Sequence, residues 1–544
     1  MCGCEDRWYK YLCWPEKHPV AHNQPTKMKE TPHPNSLRRH TFFSSATAVV
    51  LYIAAASFLA HMLTASRYGY FRDELYYLAC ARHLAFGYVD QPPMIAVVTW
   101  LAVHTLGTSL VALHFLPALA GAAMVWLTAM IARELGGGRF AQGLAALSIA
   151  LAGVFVINAH LLTINVFEPL FWMGCAWVLI RIIKTGNQKL WLWFGVLAGL
   201  GLENKYSMAL FGFAIVIGLL ATAERKAFRS GWIWMGGAVA MAIFLPNLIW
   251  NVQHHWPFIE LLHNIRASGR DMVRGPLSFL GNQIFMMSPL NFPLWLAGLL
   301  YLLFGRDGKR FRALGWAFLV VLAATMILHG KDYYSAPAYP MLLAAGAVVI
   351  ERAATARRWL KPATVVALIA GTAPLLPMML PVLPLETYVH YQEKIHLAPP
   401  ATEQSHLGSP LPQYYSDDLG WRQMTAAVAN EYERLPPGLR GATAIFAQNY
   451  GEAAAIDFFG PQYGLPNAIS GYQNYYLWGP RNFNGLGMIV LGGNRKHLEK
   501  YFGQVIHAGD FGVPYALEHG PIWMCTQPRG WNLQQIWPKL KNWD

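Results

Sequence analysis

Eleven long apolar stretches are the strongest constraint on this chain. They lie near 43–65, 108–132, 140–157, 166–183, 190–203, 206–222, 231–250, 277–304, 313–329, 333–350 and 362–381. Crossing about 30 Å of hydrocarbon takes roughly 20 mainly apolar residues in a helix. The sequence therefore predicts a polytopic α-helical membrane protein of about eleven spans, the fifth of them short. Composition agrees: only 13% of the 544 residues are charged and 55% are hydrophobic, against about 25% charged in an ordinary soluble domain. A plain cytosolic enzyme is excluded. The aromatic share of 14% argues against general disorder, and six cysteines do not make a disulfide scaffold.

The formal charge of +13 reads as topology. With the N-terminus in the cytoplasm, Arg133/Arg139, Arg181/Lys184/Lys189, Arg225/Lys226/Arg229, Arg306/Lys309/Arg310/Arg312 and Arg352/Arg357/Arg358/Lys361 all fall in cytoplasmic loops. Adding seven cations of the N-terminal tail to these 16 puts 23 of the 42 Lys and Arg on that side, as the positive-inside rule expects. An odd number of spans then places everything after about 385 outside. Residues 1–42 read as a disordered cytoplasmic tail rather than a cleavable signal, with Cys2-x-Cys4 a weak metal hint.

The unusual residues gather on the predicted outer side. The first outer loop, 66–107, contains FRDELYYLACARHLAFGYVDQPP. Leu75, Leu78, Ala79, Arg82 and Phe86 share one helical face. Pro92-Pro93 breaks the chain before a short apolar run, so two helices lying in the membrane interface are expected. They carry Asp73, Glu74 and Asp90 among Tyr70, Phe71, Tyr76, Tyr77 and Tyr88. Each carboxylate is either a solvated loop residue or, beside a low-dielectric surface, a general base or a ligand for a divalent cation. Asn165, Glu168, Glu203 and Lys205 stand at membrane depth. They either serve a substrate or form an internal ion pair that holds helices together. Loop 251–276 departs from the charge rule with Arg266, Arg270 and Arg274, which suit phosphate in a fork geometry or anionic headgroups.

The first outer loop resembles that of GT-C type lipid-dependent glycosyltransferases, the protein mannosyltransferase and aminoarabinose transferase superfamily. The points of likeness are the Asp-Glu pair after span 1 and Tyr88-x-Asp90-x-Pro-Pro. Asn165-x-x-Glu168-Pro and Lys331-x-x-Tyr334-x-x-Pro337 follow in the right order. The resemblance covers 43–380. It implies a GT-C membrane domain over 43–384, transferring a sugar from a polyprenyl phosphate, such as undecaprenyl phosphate, to a glycan, lipid or protein acceptor in a bacterial inner membrane. It implies that Asp73 is the catalytic base, that Asp90 and Glu74 assist, and that Lys205, Lys331 and Tyr334 hold the carrier phosphate. Tyr88, Glu168, Asn165 and Glu203 are expected to line the substrate site. Relatives place Lys before the double proline where this chain has Gln91, so Arg266, Arg270 or Arg72 are expected to supply the missing charge. No cofactor is required, although a divalent cation would fit. Nucleic acid is not an expected partner.

After a Pro-rich linker at 385–415, residues 416–544 read as a small outer α/β domain. Strands are expected at 442–448, 487–492, 504–508 and 521–526, with helices at 416–434, 451–459 and 494–502. The aromatic and amide-rich segment 460–483 suits either sugar binding or packing against the membrane part. The competing readings are a transporter or lipid flippase, and a sensor. The crowding of acids into one outer loop, rather than broken mid-membrane helices, argues against transport.

Overall fold

Residues 45–397, 399, 403–483 and 485–544 are described by a computed structural model; the expectations for residues 1–42 lie outside them. Among the described residues, seven helices are long and apolar enough to cross a membrane: Ala46–Thr64, Leu110–Glu134, Ile164–Thr185, Gly231–Gln253, Lys309–Ile327, Asp332–Ala356 and Leu360–Met379. Three bent pairs raise the number to as many as ten by length and composition. The remaining expected span, 190–203, is the helix Trp191–Asn204, at 14 residues short of a full crossing.

Two of the bends have a visible cause. Pro289 follows Ser288, whose φ is +64°, so the helix Pro276–Met286 cannot run on into Phe292–Phe304 and turns by 95°. The Ser288 hydroxyl donates to the Leu151 carbonyl at 2.6 Å and accepts from the Gly153 amide at 3.2 Å. Those groups lie at the 62° break between Arg139–Ala150 and Gly153–His160. One broken span thus satisfies backbone groups freed at the break of the other, which a lipid environment demands. Close helix approach relies on small residues: a Cβ on Gly298 would overlap the Leu342 carbonyl, and one on Gly346 that of Leu294.

The first outer loop forms the helices Arg72–Arg82 and Met94–Thr105. The first does not lie open on an interface as expected: Glu74 to Ala81 are all buried. Phe86 falls beyond its end and is exposed. Leu75, Tyr76 and Leu78 share one core with Trp421, Met424, Ile445, Ala453 and Ile489 from the C-terminal part.

That part carries all four expected strands, β1 (Thr443–Phe446), β2 (Gly487–Leu491), β3 (Phe502–Phe511) and β4 (Gly520–Pro528), in the order β1-β2-β4-β3. β1 and β2 are parallel and the other pairs antiparallel. Of the expected helices, Trp421–Glu433 and Tyr450–Phe459 are present, and 494–502 shrinks to Arg495–Leu498. Segment 460–483 packs against the first loop. His83 stacks on Trp478 with centroids 4.5 Å apart, and Val89 N–H donates to Asn474 Oδ1 at 3.3 Å. The stretch read as a linker holds the helix Leu385–Lys394 and buries Tyr388, Leu411 and Tyr415. Residues 45–544 form one compact unit.

Candidate functional site

The site is organised by the N-terminus of the helix Arg72–Arg82. Phe71 is extended, and Glu74 at the third helical position accepts its backbone N–H at 3.1 Å. The other Glu74 oxygen accepts the Leu162 N–H at 2.8 Å and lies 2.9 Å from His114 Nε2. Fully buried and engaged on both oxygens, Glu74 clamps three chain segments. This is the geometry of a positioning residue, although catalysis was the expectation for it. It sets the helix start that fixes its neighbours Arg72 and Asp73.

Asp73 accepts a hydrogen bond from Tyr450 Oη at 2.7 Å. Burial raises its carboxyl above the usual range, against the pull of Arg72 and the Tyr450 bond. Asp90 accepts from Tyr76 Oη at 3.0 Å, and the Gln473 amide, oriented to satisfy both partners, donates to it at 3.1 and 3.2 Å. Asn474 in turn donates to Tyr76 Oη. Burial pushes Asp90 up to about 7, with the Tyr76 bond opposing and the nearby Asp73 charge adding.

Arg72 is the cation beside Asp73, and two more cations join its carboxylate partners. Arg72 Nη2 lies 3.5 Å from Asp417, its guanidinium 5.4 Å from the Tyr450 ring centre, and its Nε is buried without a hydrogen-bond partner among the described residues. Lys331 Nζ is 3.2 Å from both Glu403 and Asp271. Arg270 reaches Tyr472 Oη at 3.4 Å and lies 3.7 Å from Asp271. Burial alone would raise Glu403, but Lys331, Arg72 and Arg270 hold it down at about 2. Arg72 is coupled to both Asp73 and Glu403, so it links the Asp73 carboxylate to the Glu403 cluster.

Lys205, Asn165 and Glu168 meet beside this cluster. Lys205 Nζ lies 2.8 Å from Asn165 Oδ1, 2.9 Å from Glu168 and 4.7 Å from the Tyr334 ring centre. The internal ion pair is therefore formed, with Tyr334 as its aromatic cover. Tyr88 is buried in its own loop, donating to the Cys80 and His83 carbonyls at 3.2 and 3.1 Å. The Glu203 side chain makes no hydrogen bond or ion pair among the described residues; Arg266 is exposed. Gln91 is buried against Cys80, so it does not stand in for the lysine of the relatives.

Several members were not found in the sequence: Glu403, Asp271, Asp417, Tyr450, Tyr472 and Gln473. Glu403 offered one signal, as the only Asp, Glu, Lys or Arg between Lys394 and Asp417. Tyr472 and Gln473 lie in the aromatic and amide-rich segment 460–483, which marked the region but not the residues; Tyr450 offered no signal. Among the described residues no three His, Cys, Asp or Glu converge on a metal position.

Comparison with known proteins gives three findings. Residues 90–250 match the family model of dolichyl-phosphate-mannose-protein mannosyltransferases. The lipid A galacturonosyltransferase RgtD of Rhizobium johnstonii is 28% identical over 278 residues, 49% of this chain and 56% of the relative. The chain thus spans little more than half the length of the curated relative it matches. The crystal structure of ArnT from Cupriavidus metallidurans bound to undecaprenyl phosphate superposes with a TM-score of 0.58, at 14% identity, over 88% of this chain and 98% of that one. Its apo state gives 0.58 at 15% identity over the same shares. At these identities the likeness establishes the fold.

Proposed function

We propose that this chain, a polytopic helical membrane protein with the GT-C fold of ArnT, is a glycosyltransferase that moves a sugar from a polyprenyl-phosphate carrier to a hydroxyl of a glycolipid acceptor at the membrane interface. The observation that carries the reading is the half-buried Asp73 carboxylate, held by Tyr450 beside Arg72, whose charge also meets Glu403 of the Lys331 and Arg270 cluster. A donor on a long lipid cannot leave the bilayer, so its chemistry belongs where membrane helices meet a water-soluble cap. Attack on the anomeric carbon needs a base for the acceptor proton and positive charge for the departing phosphate. Both act more strongly where water is excluded.

Asp73 takes the acceptor proton, its raised affinity for protons suiting that role. Asp90, tied to Tyr76 and Gln473, orients the sugar or acceptor. Lys331, Arg270 and Arg72 receive the phosphate charge, with Tyr334 and Lys205 flanking. Three cations already present take the part a divalent ion plays elsewhere, so transfer is expected to survive chelation. Undecaprenyl phosphate in ArnT and lipid A in the name of RgtD guide the choice of donor and acceptor class. The loop charges support an inner-membrane setting, with the N-terminus cytoplasmic and the C-terminal part outside.

The test is Asp73→Asn in liposomes, with undecaprenyl-phosphate-linked sugars and lipid A acceptors. The turnover rate is expected to fall about 10²- to 10⁴-fold while undecaprenyl phosphate still binds. Undiminished transfer would remove Asp73 as the base. Failure of the wild type with every donor, in protein that moves lipid across the bilayer, would favour the flippase reading.

A further inference from the structure

The cation cluster is already filled by the chain itself. Arg72, Arg270 and Lys331 supply three positive charges, and Asp73, Asp271, Glu403 and Asp417 face them with four carboxylates. The neighbouring cations are also committed, Lys205 to Glu168 at 2.9 Å and Arg274 to Asp332 at 2.8 Å. A phosphate entering this arrangement would add an anion to a buried site with no uncompensated positive charge. Such a step is unfavourable unless one carboxylate leaves.

We propose that Glu403 is an internal surrogate for the carrier phosphate, its carboxylate filling the anion position between Lys331, Arg72 and Arg270 until the lipid phosphate exchanges with it. This rests on the polyprenyl-phosphate reading above. Glu403 is singled out among the four by its surroundings. Asp73 is bonded to Tyr450, and Asp417 lies 3.2 Å from His406 Nε2. Asp271 is adjacent in sequence to Arg270 and moves with it. Glu403 reaches Lys331 from a segment that carries none of the three cations, through a long, flexible side chain. Lys331, Arg72 and Arg270 all draw on its charge.

The exchange needs no rearrangement of the backbone. A bridge pairs Glu403 with Asp271, and the Gln404 N–H donates to the Arg270 carbonyl at 3.0 Å. The main chain around Glu403 is thereby tied to the loop that carries the arginine. Rotation about the glutamate side-chain bonds is enough to vacate the position. As the carrier phosphate departs, the carboxylate returns, so the cations are never left bare in a buried site. A site built this way releases its product at the cost of affinity for it.

The experiment measures undecaprenyl phosphate binding to the full chain in detergent, for the wild type, Glu403→Gln and Glu403→Asp. Glu403→Gln removes the competing charge and is expected to tighten binding about tenfold or more. Glu403→Asp withdraws the carboxylate by one methylene and is expected to tighten it less. Unchanged or weaker binding by Glu403→Gln overturns the proposal, because a glutamate that merely positions the cations would lower affinity when lost. Should Glu403→Gln fail to melt cooperatively, the sign of the Glu403→Asp shift decides in the same way. Equal binding by all three sinks the surrogate role and leaves the donor reading standing. Absence of binding by every folded form sinks both.

Discussion

The helices Leu110–Glu134 and Tyr339–Ala356 run between two charged regions of opposite character. At their far ends the pairs are more open: Arg352 and Asp307 are 44% and 71% exposed, and Arg181 is 43% exposed against Glu134 at 15%. At the site end Lys331 and Glu403 are 13% and 10% exposed, Lys205 and Glu168 13% and 4%. Exposed pairs contribute little to stability, about 0–1 kcal/mol, and at the far end charge reports topology. Buried charge costs desolvation, and a chain retains it where it does something packing cannot. The difference separates cations that orient the protein from cations that can hold a phosphate.

The comparison can be broken from either end. Loss of transfer in Asp73→Asn sets the top of the scale. Next comes Lys331→Ala, which strands Glu403 and Asp271 without their nearest cation. It is expected to cost about 3 kcal/mol in detergent unfolding and to weaken undecaprenyl phosphate binding. Retained stability would mean that the pair is hydrated like those at the far end. A third test uses pH. Folding lifts Asp90 from 3.8 to about 7, so the native state binds the extra proton between those values. Stability contributed by that proton is full below about pH 4 and is lost as pH rises through 7, by about 4 kcal/mol. Glu403, held at about 2, acts oppositely and only below its ordinary 4.5. Unfolding followed from pH 4 to 8 should show the decline, and Asp90→Asn should flatten it; an unchanged slope in that variant would assign it elsewhere. The smallest effect belongs to Arg352→Ala, expected to shift stability by no more than about 0.5 kcal/mol with sugar transfer unaltered. A loss of activity there would erase the distinction between the two ends.

Much of this was legible in local pattern. Apolar runs marked the spans, and alternating short runs marked all four strands of the C-terminal sheet. The Asp-Glu pair of the first loop was recognisable, yet its two members part company in space. Asp73 meets Tyr450 and the charge of Arg72, while Glu74 is consumed by Phe71, Leu162 and His114. Adjacent helical residues point about 100° apart, so one of a pair can cap the helix while its neighbour faces a site. Segment 385–415 was the larger misreading. Its prolines and polar residues look like a tether, but Tyr388 and Tyr415 anchor it and Glu403 brings a charge to the site. Likewise the aromatics of 460–483 meet the first loop, with Asn474 on Tyr76 and Trp478 on His83.

By itself the sequence determined a polytopic helical membrane protein, a first outer loop rich in acids and aromatics, and a small α/β part at the C-terminal end. Hydrophobic length and periodicity are properties of neighbouring residues, so they survive in one dimension. Only the tertiary structure decided which charges meet. Tyr450 reaches Asp73 across 377 positions, and Glu403 reaches Lys331 across 72. No local pattern encodes such pairs. Folding brings them together because bringing in the C-terminal part buries the shared core of Leu75, Tyr76, Trp421 and Ile445, and the cost of enclosing charge then forces every cation to find an anion.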